Sequence, residues 1–172
     1  MTHAIGRHSQ SHIREDLFHG KVPKFVIIGL LSHQAFNGDY KQDSLEFQHF
    51  NLNFMGLYYN GQSVPYRTGY KPDFDNNKYA RDYFISIVQN MEHMRRNVNN
   101  GITMDQWVNK GRCFFTFNLT PDFAANQAQI EKKGNIRLEL NFSKPLEKTI
   151  NVVVLGIFDA TIQVTKEKRI LR

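Results

Sequence analysis

The fold is decided by two runs near the end of the chain, GNIRLELNF at residues 134–142 and TINVVVLGIF at residues 149–158. From Ile136 to Phe142, apolar side chains alternate with polar ones, which is the period of a strand with one buried and one solvated face. The second run is apolar on both faces and rich in valine, so it predicts a central strand that is covered on each side. Such a strand requires a second layer, and the two runs therefore predict a β-sandwich or barrel.

The composition is that of a single β domain with an aromatic core. The chain has 172 residues, of which 41% are hydrophobic and 22% are charged. This length suits one domain that buries roughly 70% of the surface of its unfolded form. The 14 Phe and 7 Tyr residues favour strands and large core side chains. The single cysteine, Cys113, cannot form an internal disulfide and is expected in the core as a small hydrophobe.

Further strands are predicted upstream of these two runs. The segment from Phe25 to Leu31 is apolar on both faces, like residues 149–158, and RCFFTFNL at residues 112–119 is another strand. Between two further strands stands Asn60-Gly61, a pair that tolerates the positive φ angles of a type I′ turn and so predicts a hairpin. Residues 1–13 are polar, have no aliphatic periodicity and are interpreted as a flexible N-terminal arm. Residues 14–172 then form one domain.

One helical insertion interrupts the strands. From about residue 79 to residue 95, aromatic and aliphatic side chains recur at the spacing of a single helical stripe. A further turn of helix follows at ITMDQWVNKG, residues 102–111, with Thr103 as its N-cap and Trp107 as an anchor. The stripe is typical of a helix that packs on a core.

The sequence offers no recognisable catalytic or cofactor motif. It contains no GxSxG, P-loop, GxGxxG, HExxH or CxxC pattern, and its seven histidines lack metal-ligand spacing. We therefore predict no catalytic residue, no metal, no cofactor and no enzymatic activity. No apolar stretch approaches the roughly 20 residues of a membrane span, and the N-terminal residues do not resemble a signal peptide.

The chain is basic, with a formal charge of +6 and a pI near 9.5. Its lysines and arginines are scattered and never form a run of five. A solvated basic surface explains this pattern, and an anionic partner such as nucleic acid is the alternative.

Several segments together, in this order, resemble one family. They are EDLFHGKVPKFVIIGLLSHQAFNGDY, HFNLNFMGLYYNGQSVP, KPDF, YARDYFISI, GITMDQWVNKGRCFFTFNLTPD and GNIRLELNFSKPLEKTINVVVLGIFDATIQV. The series is similar to the C-terminal half of the hexon-like major capsid proteins of Polinton (Maverick) transposons and adintovirus-type viruses. The resemblance covers roughly residues 14–172.

The resemblance implies an all-β fold, the eight-stranded second jelly roll of a double jelly-roll protein, with the helical insertion noted above. It also implies a structural capsid protein that forms homotrimers and contacts neighbouring capsomers. Such a protein would reside in the virion, and in the host nucleus or cytoplasm before assembly. The alternative is a domesticated β-sandwich that binds nucleic acid or another anion.

Four aromatic residues in the helical insertion and the loops are the candidate contact residues: Trp107, Tyr66, Tyr70 and Phe123. Large aromatic side chains dominate contact energetics. For Trp107 a packed position in the core is the competing interpretation.

Overall fold

The computed structural model describes residues 1–64, 69–89, 101–120, 132–158, 163–164 and 170–171. Eight strands form two four-stranded antiparallel sheets, and two further short strands pair with each other. The strands are β1 Thr2–Ile5, β2 Ser11–Arg14, β3 Phe25–Ser32, β4 Leu52–Tyr59, β5 Gln62–Val64, β6 Phe114–Asn118, β7 Ile136–Phe142, β8 Ile150–Ile157, β9 Gln163–Val164 and β10 Ile170–Leu171. The helices are α1 His33–Phe36, α2 Ala80–Tyr83, which continues as a π-helical segment Phe84–Gln89, and α3 Met104–Asn109.

The strand pairing is that of a jelly roll. β1 pairs with β8, β2 with β7, β3 with β6 and β4 with β5, as in one long hairpin that has been rolled up. The roll closes through two more pairings, β3 with β8 and β4 with β7. The first sheet therefore has the order β1-β8-β3-β6 and the second sheet the order β2-β7-β4-β5. The predicted eight-stranded jelly roll with a helical insertion is confirmed.

The two sheets enclose a core of aliphatic and aromatic side chains. The alternation of β7 is as predicted: its apolar positions from Ile136 to Phe142 are buried, and the polar positions between them are partly exposed. Cys113 is also buried, and burial raises the pKa of its thiol well above the usual value. The predicted hairpin is present at Asn60 and Gly61, whose φ angles are 47° and 83°.

The first residues of the chain belong to the two sheets, which corrects the prediction of a flexible arm over residues 1–13. β1 pairs with β8 at an edge of the first sheet, and β2 pairs with β7 at an edge of the second. Their sequences, THAI and SHIR, carry little aliphatic periodicity. Edge strands pair on one side only, and these two derive their order from long-range partners rather than from their own side chains.

Two histidines face each other where β1 and β2 run along the same side of the sandwich. The ring centroids of His3 and His12 lie 6.0 Å apart. The Nε2 atom of each ring is buried and has no hydrogen-bond partner among the described residues. Burial lowers the pKa of His3, and the charges of His12, Arg14 and the N-terminal amine lower it further. Burial and Arg14 likewise lower the pKa of His12. The surroundings of these two rings, between the edge strands β1 and β2, therefore favour the neutral form of each imidazole.

This arrangement predicts a loss of stability in mild acid. The unfolded chain takes up these protons near the ordinary histidine pKa of about 6.5, whereas the folded chain takes them up only at lower pH. Stability should therefore decrease as the pH falls through that value and level off below the folded-state pKa values. Urea unfolding at a series of pH values between about 7.5 and 5 measures this loss.

The control for this titration is the double variant His3→Gln, His12→Gln, which should show a weaker dependence of the unfolding free energy on pH. His19→Gln, in an exposed loop, should keep the wild-type dependence. If all three proteins had the same pH dependence, the loss of stability in acid could not be assigned to His3 and His12.

The predicted helix is present between residues 80 and 89, but its second half is π-helical. Residues 90–95 lie outside the described residues. Thr103 caps α3 as predicted, in a capping box in which its Oγ1 accepts from the Gln106 N–H and the Gln106 side chain accepts from the Thr103 N–H.

The helical insertion covers the outer edge of β6. The hydroxyl of Ser86, in the π-helical segment, donates to the carbonyl of Phe114 at 2.6 Å and accepts from the N–H of Thr116 at 3.1 Å. The indole N–H of Trp107 donates to the same Phe114 carbonyl at 2.8 Å, and the Tyr70 hydroxyl donates to the Thr116 carbonyl. Side chains therefore satisfy backbone groups that an edge strand would otherwise leave open.

Replacement of the Ser86 hydroxyl tests this cap. Ser86→Ala leaves the buried N–H of Thr116 without that acceptor, and an unsatisfied buried donor costs about 1–3 kcal/mol. Urea unfolding should show a loss of that size. Ser44→Ala, at an exposed loop position, is the control and should stay within about 0.5 kcal/mol of wild type. Equal stabilities for the two variants would rule out the hydroxyl as an edge cap.

Candidate interface

An apolar patch lies on the outward face of the first sheet, where β3 and β8 are neighbours. The register pairs Phe25 with Ile157, and Ile27 with Leu155. Val153 precedes Leu155 on the same face of β8. Leu155 is 56% exposed and Ile157 is 48% exposed, whereas the other three are half-buried. These five residues are called the β3–β8 patch below.

The β6 side and the α1 end of this face are covered by the chain itself. The Phe47 side chain lies over Gly29, where a Cβ would come within 2.5 Å of its ring, and its ring centroid is 4.7 Å from that of Phe114. At the α1 side, His33 Nδ1 lies 2.8 Å from Asn151 Oδ1. The π-helical segment covers Thr116 on β6. These three intramolecular layers leave open the β3–β8 patch and the outward positions of β1, Thr2 and Ala4.

The outward face of the second sheet is polar by comparison. On it, the Arg137 guanidinium lies over the Tyr58 ring at 4.5 Å, and Glu139 lies close to the Tyr58 hydroxyl. Partial burial, together with the Glu139 charge, raises the pKa of Tyr58. Ile13, on the edge strand β2, is 54% exposed on this face. One sheet therefore presents a surface suited to water, and the other presents one that is suited to contact.

The prediction for residues 149–158 needs one correction. The sequence predicts a central strand covered on each side, and β8 is central in its sheet with a buried inner face. Its outer face is not covered over Leu155 and Ile157. An apolar pattern reports which side chains avoid water, but it does not say whether the covering layer comes from the same molecule.

Two of the four predicted contact residues lie in the core and not at the surface. Trp107 is fully buried and Tyr70 nearly so, and each donates a hydrogen bond to the backbone of β6. These residues cover an edge of their own chain and, as folded, present no surface to a partner. Tyr66 and Phe123 lie outside the described residues. The sequence analysis did not single out the exposed Leu155 and Ile157, although the two-sided apolar pattern of residues 149–158 includes both.

A cleft of about 480 Å³ opens at the end of the sandwich that carries the long β3–β4 and β5–β6 connections. His49 stacks on Phe74 with 3.8 Å between the ring centroids, and its Nδ1 accepts from the Asn51 N–H at 3.0 Å. Burial lowers the pKa of His49. Charges of both signs line this cleft: Glu46, Glu147, Lys144 and Lys148. This mixture of charges favours neither an anionic nor a cationic ligand.

Within the described ranges of the chain, no three or more His, Cys, Asp or Glu side chains come together in a group that could hold a metal ion. None of the helices in those ranges has the length and apolarity needed to cross a membrane.

Comparison with known proteins gives one informative match. An uncharacterized protein of Caenorhabditis elegans is 30% identical to this chain over 130 residues, which is 74% of this chain. The chain covers only 30% of that relative's length. No protein-family model and no solved structure matches the chain. The match carries no activity or partner with it.

Proposed function

We propose that this chain is a structural protein of the capsid type, a jelly-roll subunit that self-associates through the β3–β8 patch. The observation that carries the proposal is the exposure of Leu155 and Ile157 beside Phe25 and Ile27, on a sheet face that the chain itself covers at its β6 side and at its α1 end. Covering each of these large side chains contributes up to about 1.5–3 kcal/mol, in proportion to the area removed from water. The resemblance to hexon-like capsid proteins of Polinton transposons and adintovirus-type viruses supports the same function.

The interior of the sandwich suits a building unit better than a binding protein. Jelly rolls occur in viral capsids, in lectins and in cupins. Here the inward positions of both sheets carry fully buried residues such as Ile28, Leu57, Phe115 and Leu138. Assembly requires rigid units and complementary surfaces, and no step of it uses a catalytic group or a cofactor.

A trimer requires the patch to meet a different surface of the neighbouring copy, because a ring of three subunits is built from heterologous contacts. The β3–β4 connection offers such a counter-surface. Phe36, Tyr40 and Leu45 are 41%, 90% and 70% exposed on it. We expect this connection of one copy to pack on the β3–β8 patch of the next.

Sedimentation velocity over a concentration series tests the proposal. The wild-type chain should form trimers at protein concentrations up to about 100 μM. Leu155→Glu should raise the protein concentration at which trimers form by at least about tenfold, because the substitution buries a charge in the contact. Ile13→Glu is the matched control, because Ile13 is 54% exposed and Leu155 is 56% exposed. It should associate like wild type.

Two outcomes would refute the proposal. One is a wild-type chain that stays monomeric throughout the concentration series. The other is a folded Leu155→Glu variant that associates as well as Ile13→Glu does. Far-UV circular dichroism of each variant establishes that it is folded before the comparison is made.

A further inference from the structure

Two lysines stand directly opposite each other at the end of the sandwich where the β2–β3 connection meets the residues before β7. Lys21 and Lys133 form an isolated antiparallel bridge. The bonds from Val22 N to Lys132 O at 3.1 Å and from Gly134 N to Gly20 O at 3.0 Å flank this pair. This pattern defines a non-hydrogen-bonded pair, with Cα atoms about 4.5 Å apart and both side chains on one face. Like charges in that position are destabilising.

The position of Lys133 is fixed by the neighbouring hairpin. The Tyr59 hydroxyl donates to the Lys133 carbonyl at 3.0 Å. The Asn135 N–H donates to Asn60 Oδ1 at 2.9 Å, and the Asn60 N–H donates to the Asn135 carbonyl at 3.0 Å. At Gly134 a Cβ would lie 2.3 Å from the Tyr59 ring, so the backbone approaches closely there. The two lysines are therefore presented from a well-bonded surface rather than from a free loop.

Among the described residues, nearby carboxylates do not neutralise this pair. Glu15 lies 3.8 Å from the Arg137 guanidinium, and Asp16 accepts from the Gly20 N–H while its other oxygen lies 4.0 Å from His19. Across the described ranges, neither Lys21 nor Lys133 forms an ion pair, and the same holds for the adjacent, exposed Lys132. The described residues at this end of the sandwich therefore carry an excess of positive charge, in a chain whose net charge is +6.

We propose that Lys21, Lys132 and Lys133 form a contact site for the phosphate backbone of nucleic acid. Lysine is a point charge on a flexible stem, which suits phosphates and reads no base edge, so the binding is independent of sequence. An anionic partner would offset the repulsion between the two opposed lysines. The site shares no residue with the β3–β8 patch, and the inference does not rest on the proposed self-association.

The test is fluorescence anisotropy of a labelled 20-base-pair DNA duplex, titrated with the full chain at several salt concentrations. Non-specific binding of this kind has a Kd of roughly 10⁻⁴ to 10⁻⁶ M, and each phosphate contact adds about −0.9 to the slope of log K against log salt. The wild-type slope should be about −2 to −3 from these three lysines. Lys21→Gln, Lys133→Gln should weaken binding by about tenfold and lower the size of the slope by about 2.

The matched control is Lys41→Gln, Lys148→Gln, which removes the same net charge from the opposite end of the molecule. It should bind the duplex within about threefold of wild type, because only long-range steering changes. The Lys21→Gln, Lys133→Gln variant should also unfold at a urea concentration equal to or above that of wild type, since a like-charge pair has been removed. This result separates the loss of binding from a loss of folding.

Three results would overturn the inference. The wild-type chain could fail to bind the duplex at low salt, or the two double variants could bind it equally. The third result is tighter binding to phosphatidylserine vesicles than to the duplex, with the same dependence on Lys21 and Lys133, which would assign the site to a membrane surface.

Discussion

The outer edge of β6 is the constraint on which the arrangement of this molecule depends. β6 ends the first sheet, and its outward backbone groups would be open to any other strand. Ser86, Trp107 and Tyr70 satisfy these groups, and all three come from the long connection between β5 and β6. One set of hydrogen bonds therefore closes the β6 edge of the sheet and holds the connection in place. The π-helical geometry at residues 84–89 brings the Ser86 hydroxyl against the strand.

This closure also determines which surface remains available for contact. Once the insertion is fixed at the β6 side and Phe47 lies over Gly29, the outward face of the first sheet is covered at its β6 side and at its α1 end. What stays open is the β3–β8 patch and the adjoining outward positions of β1. The β6 edge, which could have paired with another strand, is blocked, and the neighbouring β3–β8 patch is a flat surface of side chains. Association through such a face is limited by shape and burial, whereas association through an open edge can continue without limit.

The sequence predicts well those elements whose own side chains carry the signal. The alternation in β7 and the apolar runs of β3 and β8 identify strands, and Asn60-Gly61 and Thr103 identify a turn and a helix start, because each depends on local chemistry. β1 and β2 escaped prediction because their order comes from partners more than 120 residues away. Trp107 and Tyr70 were ambiguous for a related reason. An aromatic residue with a hydrogen-bonding N–H or O–H group suits both an interface and the cover of a buried strand edge. Only the position of β6 in the structure distinguishes these two roles.

The comparison between the two sheets shows that the exposed apolar residues are not a requirement of the fold. β7 and β8 are both inner strands of their sheets, and both bury one face in the same core. At its outward positions β7 carries Arg137, Glu139 and Asn141, and the jelly roll forms with them. β8 carries Val153, Leu155 and Ile157 at the corresponding outward positions, although polar residues would serve the monomer equally well in water. The apolar residues at these positions are accounted for by a layer outside the sandwich, and in the proposed self-association a neighbouring copy supplies that layer over the β3–β8 patch.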